Sequence, residues 1–293
     1  MNAINLNADL ATPEIIVGLM ASLILVVPLY MKKETGIRLA FSLAITTLIV
    51  TATYIAMNVS EGAAAAMNNM YMADPLSDLL KVAICFISAG VFIYSRRYNQ
   101  DRGLDKPEYY VLGLFGVTGM MVMASANHLL TLYLGLELMS LCLYAMIAFY
   151  RDDVLAVESA MKYFVLGALA SSILLYGMSL LYGLTGSLEL SVIRDSLSTD
   201  DGNVAVALAV VLVVVALAFK LGAVPFHMWV PDVYQGAPTS TTAFIGAAPK
   251  IAAFAITMRL LAGGLEDLHA MWQQMLIIIA LLSIIAGNVI AIA

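Results

Sequence analysis

Charged residues are scarce in this sequence. They make up only 12% of the 293 residues, whereas hydrophobic residues make up 62%. A water-soluble domain carries about 25% charged residues, so this composition excludes an ordinary soluble protein. The apolar residues come in runs of roughly 20, the length of helix that crosses a bilayer core about 30 Å thick. We therefore predict an all-α fold, a polytopic transmembrane helix bundle embedded in the lipid bilayer.

Cysteine is rarer still, and the usual signatures of enzymes are missing. Cys85 and Cys142 lie in separate apolar runs and form no C-x-x-C pair, so both are predicted to be small buried side chains. The sequence has no phosphate-binding glycine loop, no Cys/His metal spacing and no convincing nucleophile triad. No basic segment with a small-residue cleavage site precedes the first apolar run, so we expect no cleaved signal peptide. We expect no catalytic residue, metal or cofactor in this chain, and no nucleic-acid partner.

The apolar residues fall into nine runs. Read as candidate transmembrane helices, the runs are 13–31, 37–57, 75–95, 109–126, 129–149, 154–183, 204–234, 239–262 and 271–293. The longest polar stretch, 185–203, has some amphipathic character, which favours a short helix along the surface.

The basic residues of the loops indicate an orientation. They follow the first, third and fifth runs, while the N-terminal tail and the loops after the second and fourth runs have none. They are Lys32, Lys33, Arg38, Arg96, Arg97, Arg102, Lys106 and Arg151, with Arg194 as the main exception. Because cytoplasmic loops carry the excess of Lys and Arg, we predict a multi-pass membrane protein whose N terminus lies on the side opposite the cytoplasm.

Several charged residues lie inside the apolar runs. A charge near the bilayer centre costs from about 2.5 to more than 10 kcal/mol, so such a residue faces protein or water and marks an ion path. The residues of this kind are Lys81, Glu137, Glu158, Lys162, Lys220 and Lys250. Glu137 has no basic residue within two turns, so its partner must come from another helix.

Two of the lysines have a local alternative. Lys162 follows Glu158 by four residues, a spacing that pairs favourably on one helix face, so an ion path and a local ion pair both stay open. Lys81 follows Asp78 by three residues near a helix end, where snorkelling or a local pair is the favoured interpretation.

The seventh run is too long for one straight helix. Its 31 residues would extend ~46 Å, against a bilayer core of about 30 Å. Trp229 and Tyr234 are predicted at the membrane interface, which places the end of the span near them rather than near Lys220. A break between Gly222 and Pro225 absorbs the excess length and leaves Lys220 near the middle of the membrane. Transporters place ion sites at such discontinuous helices, because the helix ends expose unpaired backbone groups.

Two further residues lie beside helix breaks. His227 follows the predicted break and could relay a proton, since the ordinary pKa of histidine, about 6.5, is close to cellular pH; a histidine hydrogen-bonded in the core is the alternative. Pro249 directly precedes Lys250. Because proline removes a backbone donor and kinks a helix, a lysine at that point indicates function rather than packing.

Three stretches carry a resemblance to a known family. They are "NHLLTLYLGLELMSL", "ESAMKYFVLGALASS" and "FKLGAVPFHMWVPDVYQGAPTSTTAF". They resemble subunit N of bacterial respiratory NADH:quinone oxidoreductase (complex I), part of an antiporter-like family that includes Mrp cation/proton antiporters. The resemblance extends over most of 109–293, and "PDVYQGAP" after "PFHMW" is the part most specific to subunit N.

The resemblance implies roles for the residues already selected. Glu137 and Lys220 match the pair formed between the fifth helix and the broken seventh helix of the family. Lys162 matches a sixth-helix lysine that modulates that pair, and Lys250 matches an eighth-helix lysine on the hydrated central axis. Lys81 matches no family role.

The resemblance also implies a location, an architecture and partners. The location is the bacterial inner membrane, with the N terminus in the periplasm. The family has about fourteen helices with two inverted five-helix repeats. We therefore expect three N-terminal helices in 1–106, a nearly complete half-channel repeat in 107–265, and a second repeat that begins at 266–293 and is otherwise missing. The chain is expected to be a proton-translocating subunit of a translocase, with NADH, FMN, iron–sulfur clusters and quinone in other membrane and peripheral subunits of complex I, and protons passing along internal water. An Mrp-type antiporter subunit and a membrane subunit of a related hydrogenase complex are the alternatives.

Overall fold

The computed structural model describes residues 7–197 and 203–292. The α-helices in these ranges are α1 Thr12–Val26, α2 Lys33–Met57, α3 Pro75–Asp101, α4 Pro107–Ser125, α5 Leu129–Ile147, α6 Val154–Thr185, α7 Leu190–Leu197, α8 Val204–Leu221, α9 Trp229–Gly236, α10 Thr239–Gly246, α11 Ala248–Thr257 and α12 His269–Ile292. Two short strands, β1 Ala64–Ala66 and β2 Tyr71–Ala73, form an antiparallel hairpin.

The predicted all-α membrane fold is confirmed. In the described ranges, nine helical segments are long and apolar enough to cross a membrane, in agreement with the nine predicted runs. The amphipathic stretch at 185–203 contains the eight-residue helix α7, while residues 198–202, and residue 293 of the last predicted run, lie outside the described part of the chain. The domain boundaries at 106 and 265 stay a prediction.

Local sequence signals fix the ends of the helices that position the site. Asp74 and Ser77 form a reciprocal capping box at the start of α3, where Pro75 occupies the first turn as expected for a helix N terminus. His128 caps α5, because its Nδ1 accepts a hydrogen bond from the Leu130 amide at 3.2 Å. These caps fix where α3 and α5 begin, at the end of the bundle remote from the basic loops.

Two glycines bring α4 and α5 into close contact. A Cβ added to Gly119 would lie 2.6 Å from the carbonyl oxygen of Gly135, and one added to Gly135 would lie 2.8 Å from the carbonyl oxygen of Gly119. Such contacts between backbones are the usual way that membrane helices pack without a hydrophobic driving force. The face of α5 that follows Gly135 is therefore held firmly inside the bundle.

The β-hairpin was not predicted. Its turn consists of Met67, Asn68 and Asn69, all with positive φ between 51° and 63°, a conformation that asparagine tolerates better than most residues. The Asn-Asn pair was therefore the available sequence signal. The hairpin positions Tyr71, which is buried between α1 and α3.

The predicted break of the seventh span is confirmed, but one residue near it was misplaced. Helix α8 ends at Leu221, and Gly222 follows with φ +74°; turns lead to α9 at Trp229. Trp229 was predicted at the membrane interface, and this is wrong: it is buried, stacks on Tyr163 with ring centroids 4.6 Å apart, and donates from Nε1 to the Phe219 carbonyl at 2.9 Å. Its indole N–H finds a partner at the broken helix end rather than in the headgroup layer.

The eighth span is interrupted as well. Helix α10 ends at Gly246 and α11 begins at Ala248, with Ala247 between them at φ −111° and ψ −93°. A π-helical segment, Met258–Gly264, continues the same span, and π-helical turns are frequent at functional sites. Lys250 thus lies in the first turn after the interruption.

Candidate functional site

Lys220 occupies the last turn of α8, directly before the helix break. Its side chain is 8% exposed, and Nζ donates a hydrogen bond of 2.9 Å to the Ser140 hydroxyl on α5. The Ser140 hydroxyl in turn donates to the Leu136 carbonyl at 2.7 Å. A buried ammonium is thus held by a neutral hydroxyl group.

Glu137 lies one turn before Ser140 on α5. Its Oε1 is buried and has no hydrogen-bond partner among the described residues. Lys220 and Glu137 form no ion pair within 4.0 Å in this part of the chain, so the structure brings the two predicted partners to one side of α5 without joining them. In this conformation Glu137 Oε1 has no partner, while Lys220 of α8 is bonded to Ser140, one turn further along α5. The Glu137–Lys220 contact is therefore not formed.

Lys250 reaches the helix break from the opposite side. Its Nζ donates to the carbonyl oxygens of Leu221 at 3.0 Å and Lys220 at 3.4 Å, and lies 5.0 Å from the centre of the Trp229 ring. The last carbonyls of a helix have no partner inside the helix and carry partial negative charge. Lys250 therefore caps α8. The sequence did not reveal this role, because Lys250 lies 30 positions after Lys220, whose carbonyl it contacts.

Gly222 makes room for that cap. A Cβ at this position would lie 2.9 Å from Val230 Cγ2 and 3.3 Å from Lys250 Nζ. The positive φ of Gly222 is also costly for a residue with a Cβ. Both the conformation and the space at the break therefore require glycine.

His227 lies in the turns between α8 and α9, two residues after Pro225. Its Nδ1 is buried and has no hydrogen-bond partner in the described ranges, while its backbone carbonyl accepts from the Val230 amide at 2.8 Å. The imidazole therefore has an unused position for a proton or a water molecule next to the break.

Lys162 lies apart from the buried lysines. Its Nζ is 2.9 Å from Glu158 and 3.1 Å from Asp232 of α9, and all three side chains are about half exposed. The local pair with Glu158 is thus present, and Asp232 is an additional partner from another helix. The ion pair with Asp232 connects α6 to the segment that follows the helix break.

A second buried ionic cluster, missed in the sequence, lies at the other end of the bundle. Lys81 was expected to snorkel or to pair with Asp78, and this is wrong: its Nζ lies 2.7 Å from Glu14 on α1 and donates to the Tyr71 hydroxyl at 2.6 Å. Asp78 instead accepts from the Ser60 amide at 2.8 Å. Lys81 is 1% exposed, because the hairpin and α1 cover it.

Two groups in or near that cluster, Tyr71 and Asp74, have shifted pKa values. Burial, and then the negative charge of Glu14, raise the pKa of Tyr71, so its hydroxyl stays protonated. Burial would also raise the pKa of Asp74, but hydrogen bonds from Arg259 and from the Ser77 amide lower it below its ordinary value. Arg259 holds both Asp74 oxygens at 2.7 and 2.8 Å, the bidentate geometry typical of strong carboxylate pairs.

Cysteines and potential metal ligands add no further site in the described ranges. Cys85 and Cys142 are both free and buried, as predicted. No group of three His, Cys, Asp or Glu side chains suited to a metal ion occurs in the ranges that the structure describes.

Nine candidate spans in the described ranges, with Lys220 buried and Lys250 half-buried at two facing helix breaks, are features of the antiporter-like class of membrane proteins. The chain belongs to the family described as NADH:quinone oxidoreductase/Mrp antiporter, TM, which matches residues 126–293. The resemblance to subunit N is confirmed. The chain is 56% identical over 283 residues to NADH-quinone oxidoreductase subunit N of Thioalkalivibrio sulfidiphilus and 53% identical over 284 residues to that of Thiobacillus denitrificans. These alignments cover 96% and 97% of the chain, which spans 59% of the length of either relative.

Solved structures agree with this assignment. Respiratory complex I from Thermus thermophilus with bound aureothin contains a chain that matches 96% of this one, with a TM-score of 0.78 and 30% identity; 58% of that chain is covered. The Mrp complex from Dietzia sp. DQ12-45-1b matches 87% of this chain and 47% of its own, with a TM-score of 0.68 and 23% identity. At that identity the likeness to the Mrp complex shows the fold alone.

Proposed function

We propose that this chain conducts protons in the membrane part of an NADH:quinone oxidoreductase, as one half of a proton channel. The names of its relatives and its family support the proposal. The chain would then act inside a translocase, with the other membrane and peripheral subunits as partners and with NADH, FMN, iron–sulfur clusters and quinone bound there. It would lie in a bacterial inner membrane with the basic loops in the cytoplasm.

The observation that carries the proposal is the environment of Lys220. Burial disfavours the charged form of a lysine, and a nearby carboxylate favours it. In this conformation Lys220 Nζ is bonded to Ser140 while Glu137 Oε1 is unpartnered. A movement of Lys220 by one turn of α5 would pair it with Glu137 and stabilise its proton, and the return to Ser140 would favour release.

The remaining residues extend the path in both directions. Lys162 and its carboxylate partners at the cytoplasmic side would modulate the movement of Lys220, because they connect α6 to the segment after the break. His227 would accept or pass a proton at its unpartnered Nδ1. Lys250, which contacts the same helix end as Lys220, would receive the proton through internal water. Electron transfer to quinone elsewhere in the complex would drive the cycle.

The test is Lys220→Ala in the complete complex. In inverted membrane vesicles, we expect fewer protons translocated per NADH oxidised, while the amount of this subunit that purifies with the complex stays unchanged. An unchanged ratio of protons to electrons in a fully assembled complex would refute the assignment.

The matched control is Lys33→Ala, which removes an exposed lysine at the first residue of α2, on the side of the basic loops. It changes the total charge of the chain equally but touches no buried group. We expect its proton-to-electron ratio to equal that of the unmodified complex, so that a loss seen only with Lys220→Ala reports on the buried site.

A further inference from the structure

Four buried polar side chains meet near the cytoplasmic ends of α3, α4 and α10. They are Ser95 and Asn99 on α3, Tyr109 on α4 and Ser240 on α10, none more than 3% exposed. The Tyr109 hydroxyl faces the other three side chains. We call these four residues the polar cluster.

The Tyr109 hydroxyl lies near enough to Ser95, Asn99 and Ser240 to interact with each of them, but no pair of atoms in the polar cluster reaches the distance and angles of a regular hydrogen bond in the described part of the chain. This holds for the hydroxyls of Ser95, Tyr109 and Ser240 and for both amide atoms of Asn99. Buried polar groups are almost always paired with protein or with ordered water, since an unpaired one is costly. A buried water molecule needs two to four polar neighbours, and the polar cluster offers five atoms that face a common space.

A groove leads from the protein surface to the polar cluster. It lies between α3 and α10, has a volume of about 400 Å³, and is lined by both Ser95 and Ser240. Its rim carries the exposed ion pair of Arg97 and Asp101, with Nε and Oδ2 3.6 Å apart, and belongs to the side of the bundle with the basic loops. Most of the groove's lining is apolar, but the groove brings the protein surface next to Ser95 and Ser240, the two members of the polar cluster that line it.

An aromatic pair closes the membrane side of the polar cluster. Phe92 lies one turn before Ser95 on α3, and its ring stacks on Phe244 at 5.7 Å with an interplanar angle of 12°. Behind the pair, a Cβ added to Gly116 would meet Phe244 at 3.8 Å and Cys142 at 3.7 Å.

We propose that the polar cluster is an internal water site that takes up protons from the cytoplasmic side, with the Phe92–Phe244 pair as its inner seal. Its use for proton uptake rests on the proposed function above. Displacement of the aromatic pair would open the polar cluster towards the interior of the bundle.

Thiol labelling tests the water site independently of pumping. In the complete complex, Ser95→Cys and Ser240→Cys are exposed to a membrane-impermeant methanethiosulfonate in inverted vesicles, and modification of the introduced cysteine is followed by mass spectrometry. The control is Ser88→Cys, which is equally buried and unpartnered and lies two turns deeper on the same face, beyond Phe92. Since a hydrated thiol ionises and a dry one does not, we expect labelling at 95 and 240 to be at least ~10-fold faster than at 88. Equal rates at all three positions, or no labelling at 95 and 240 in an assembled complex, would overturn the proposal.

Asn99→Leu provides the second measurement. If the cluster were dry, an apolar residue of similar size would relieve an unsatisfied amide and leave pumping intact. If the cluster supplies protons, the number of protons per NADH falls while NADH oxidation and assembly continue. Rapid labelling with unchanged pumping in Asn99→Leu would overturn the uptake role. A loss of pumping in Asn99→Leu alongside normal pumping in Lys220→Ala would instead place the failure in the proposed function.

Discussion

Removal of the Lys81 ammonium leaves a buried carboxylate without its cation. Glu14 is 6% exposed and lies 2.7 Å from Lys81 Nζ. After Lys81→Met, the hydrogen-bond partner left to it among the described residues is the Tyr71 hydroxyl, 3.1 Å from both carboxylate oxygens. A hydroxyl donates only one hydrogen bond. The variant therefore leaves the negative charge of Glu14 buried and removes the positive charge that stabilises it.

The expected cost is large because the pair is almost fully enclosed. Breaking a buried ion pair by removing one partner costs about 3–5 kcal/mol, and each 1.4 kcal/mol is a factor of ten in an equilibrium constant. Cys85 lies one turn after Lys81 on α3, is fully buried, and reports local opening through its reaction with N-ethylmaleimide. In the membrane-bound complex, Lys81→Met should speed that reaction by roughly 100-fold or more.

A double variant separates the ion pair from simple packing. Replacing both partners, Glu14→Leu with Lys81→Met, should return the labelling rate of Cys85 close to the original one, since well-packed apolar residues substitute for a buried pair at little cost. Arg97→Met, which removes an exposed ion pair at the other end of α3, should change little. Additive effects of Glu14→Leu and Lys81→Met, or a rate in Lys81→Met within threefold of the original, would refute this reasoning.

Two other perturbations have outcomes set by the structure. Gly222→Ala places a Cβ 2.9 Å from Val230 Cγ2 at φ +74° and should lower the heat resistance of the subunit by an amount equivalent to about 1–2 kcal/mol. Gly62→Ala is the control, because a Cβ there has nothing within 4 Å. Equal heat resistance of the two variants would contradict the claim that Gly222 is required at the break. Because the pKa of Asp74 is lowered from 3.8, its pairing with Arg259 should stabilise the fold fully above that pH and lose its effect only as the pH falls through the lower folded value. The difference in heat resistance between the unmodified protein and Asp74→Asn should thus stay constant from about pH 8 to 5, and a difference that halves over this range would count against it.

The sequence predicted the features that depend on local composition. The number of spans follows from run length, and the break after Lys220 follows from a run of 31 residues that no bilayer accommodates as one helix. Gly222 was predictable as part of that break, because glycine is the residue that ends a helix in the left-handed conformation.

Contacts between distant helices could not be predicted in the same way. Lys81 and Glu14 are 67 positions apart and meet only because the hairpin at Tyr71 draws α1 and α3 together. Trp229 was misplaced for the same reason: a tryptophan is equally suited to the membrane interface and to a buried helix end with a free carbonyl. Only the packing of α9 against α6 and α8 decides between the two.

The position of Lys250 gives a physical link between the two helix breaks. Its ammonium bonds to the backbone carbonyl of Lys220, the same residue whose side chain is held by Ser140. A positive charge at a helix C terminus is attracted to the partial negative charge of the last carbonyls, and a neutral amine is not. Loss of the proton from Lys250 would therefore weaken its attraction to the last carbonyls of α8. This attraction does not depend on any contact between the side chains of the two lysines. We accordingly expect the charge of Lys250 to change the electrostatic environment of Lys220 through the exposed carbonyls at the end of α8. A continuous helix would not expose these carbonyls.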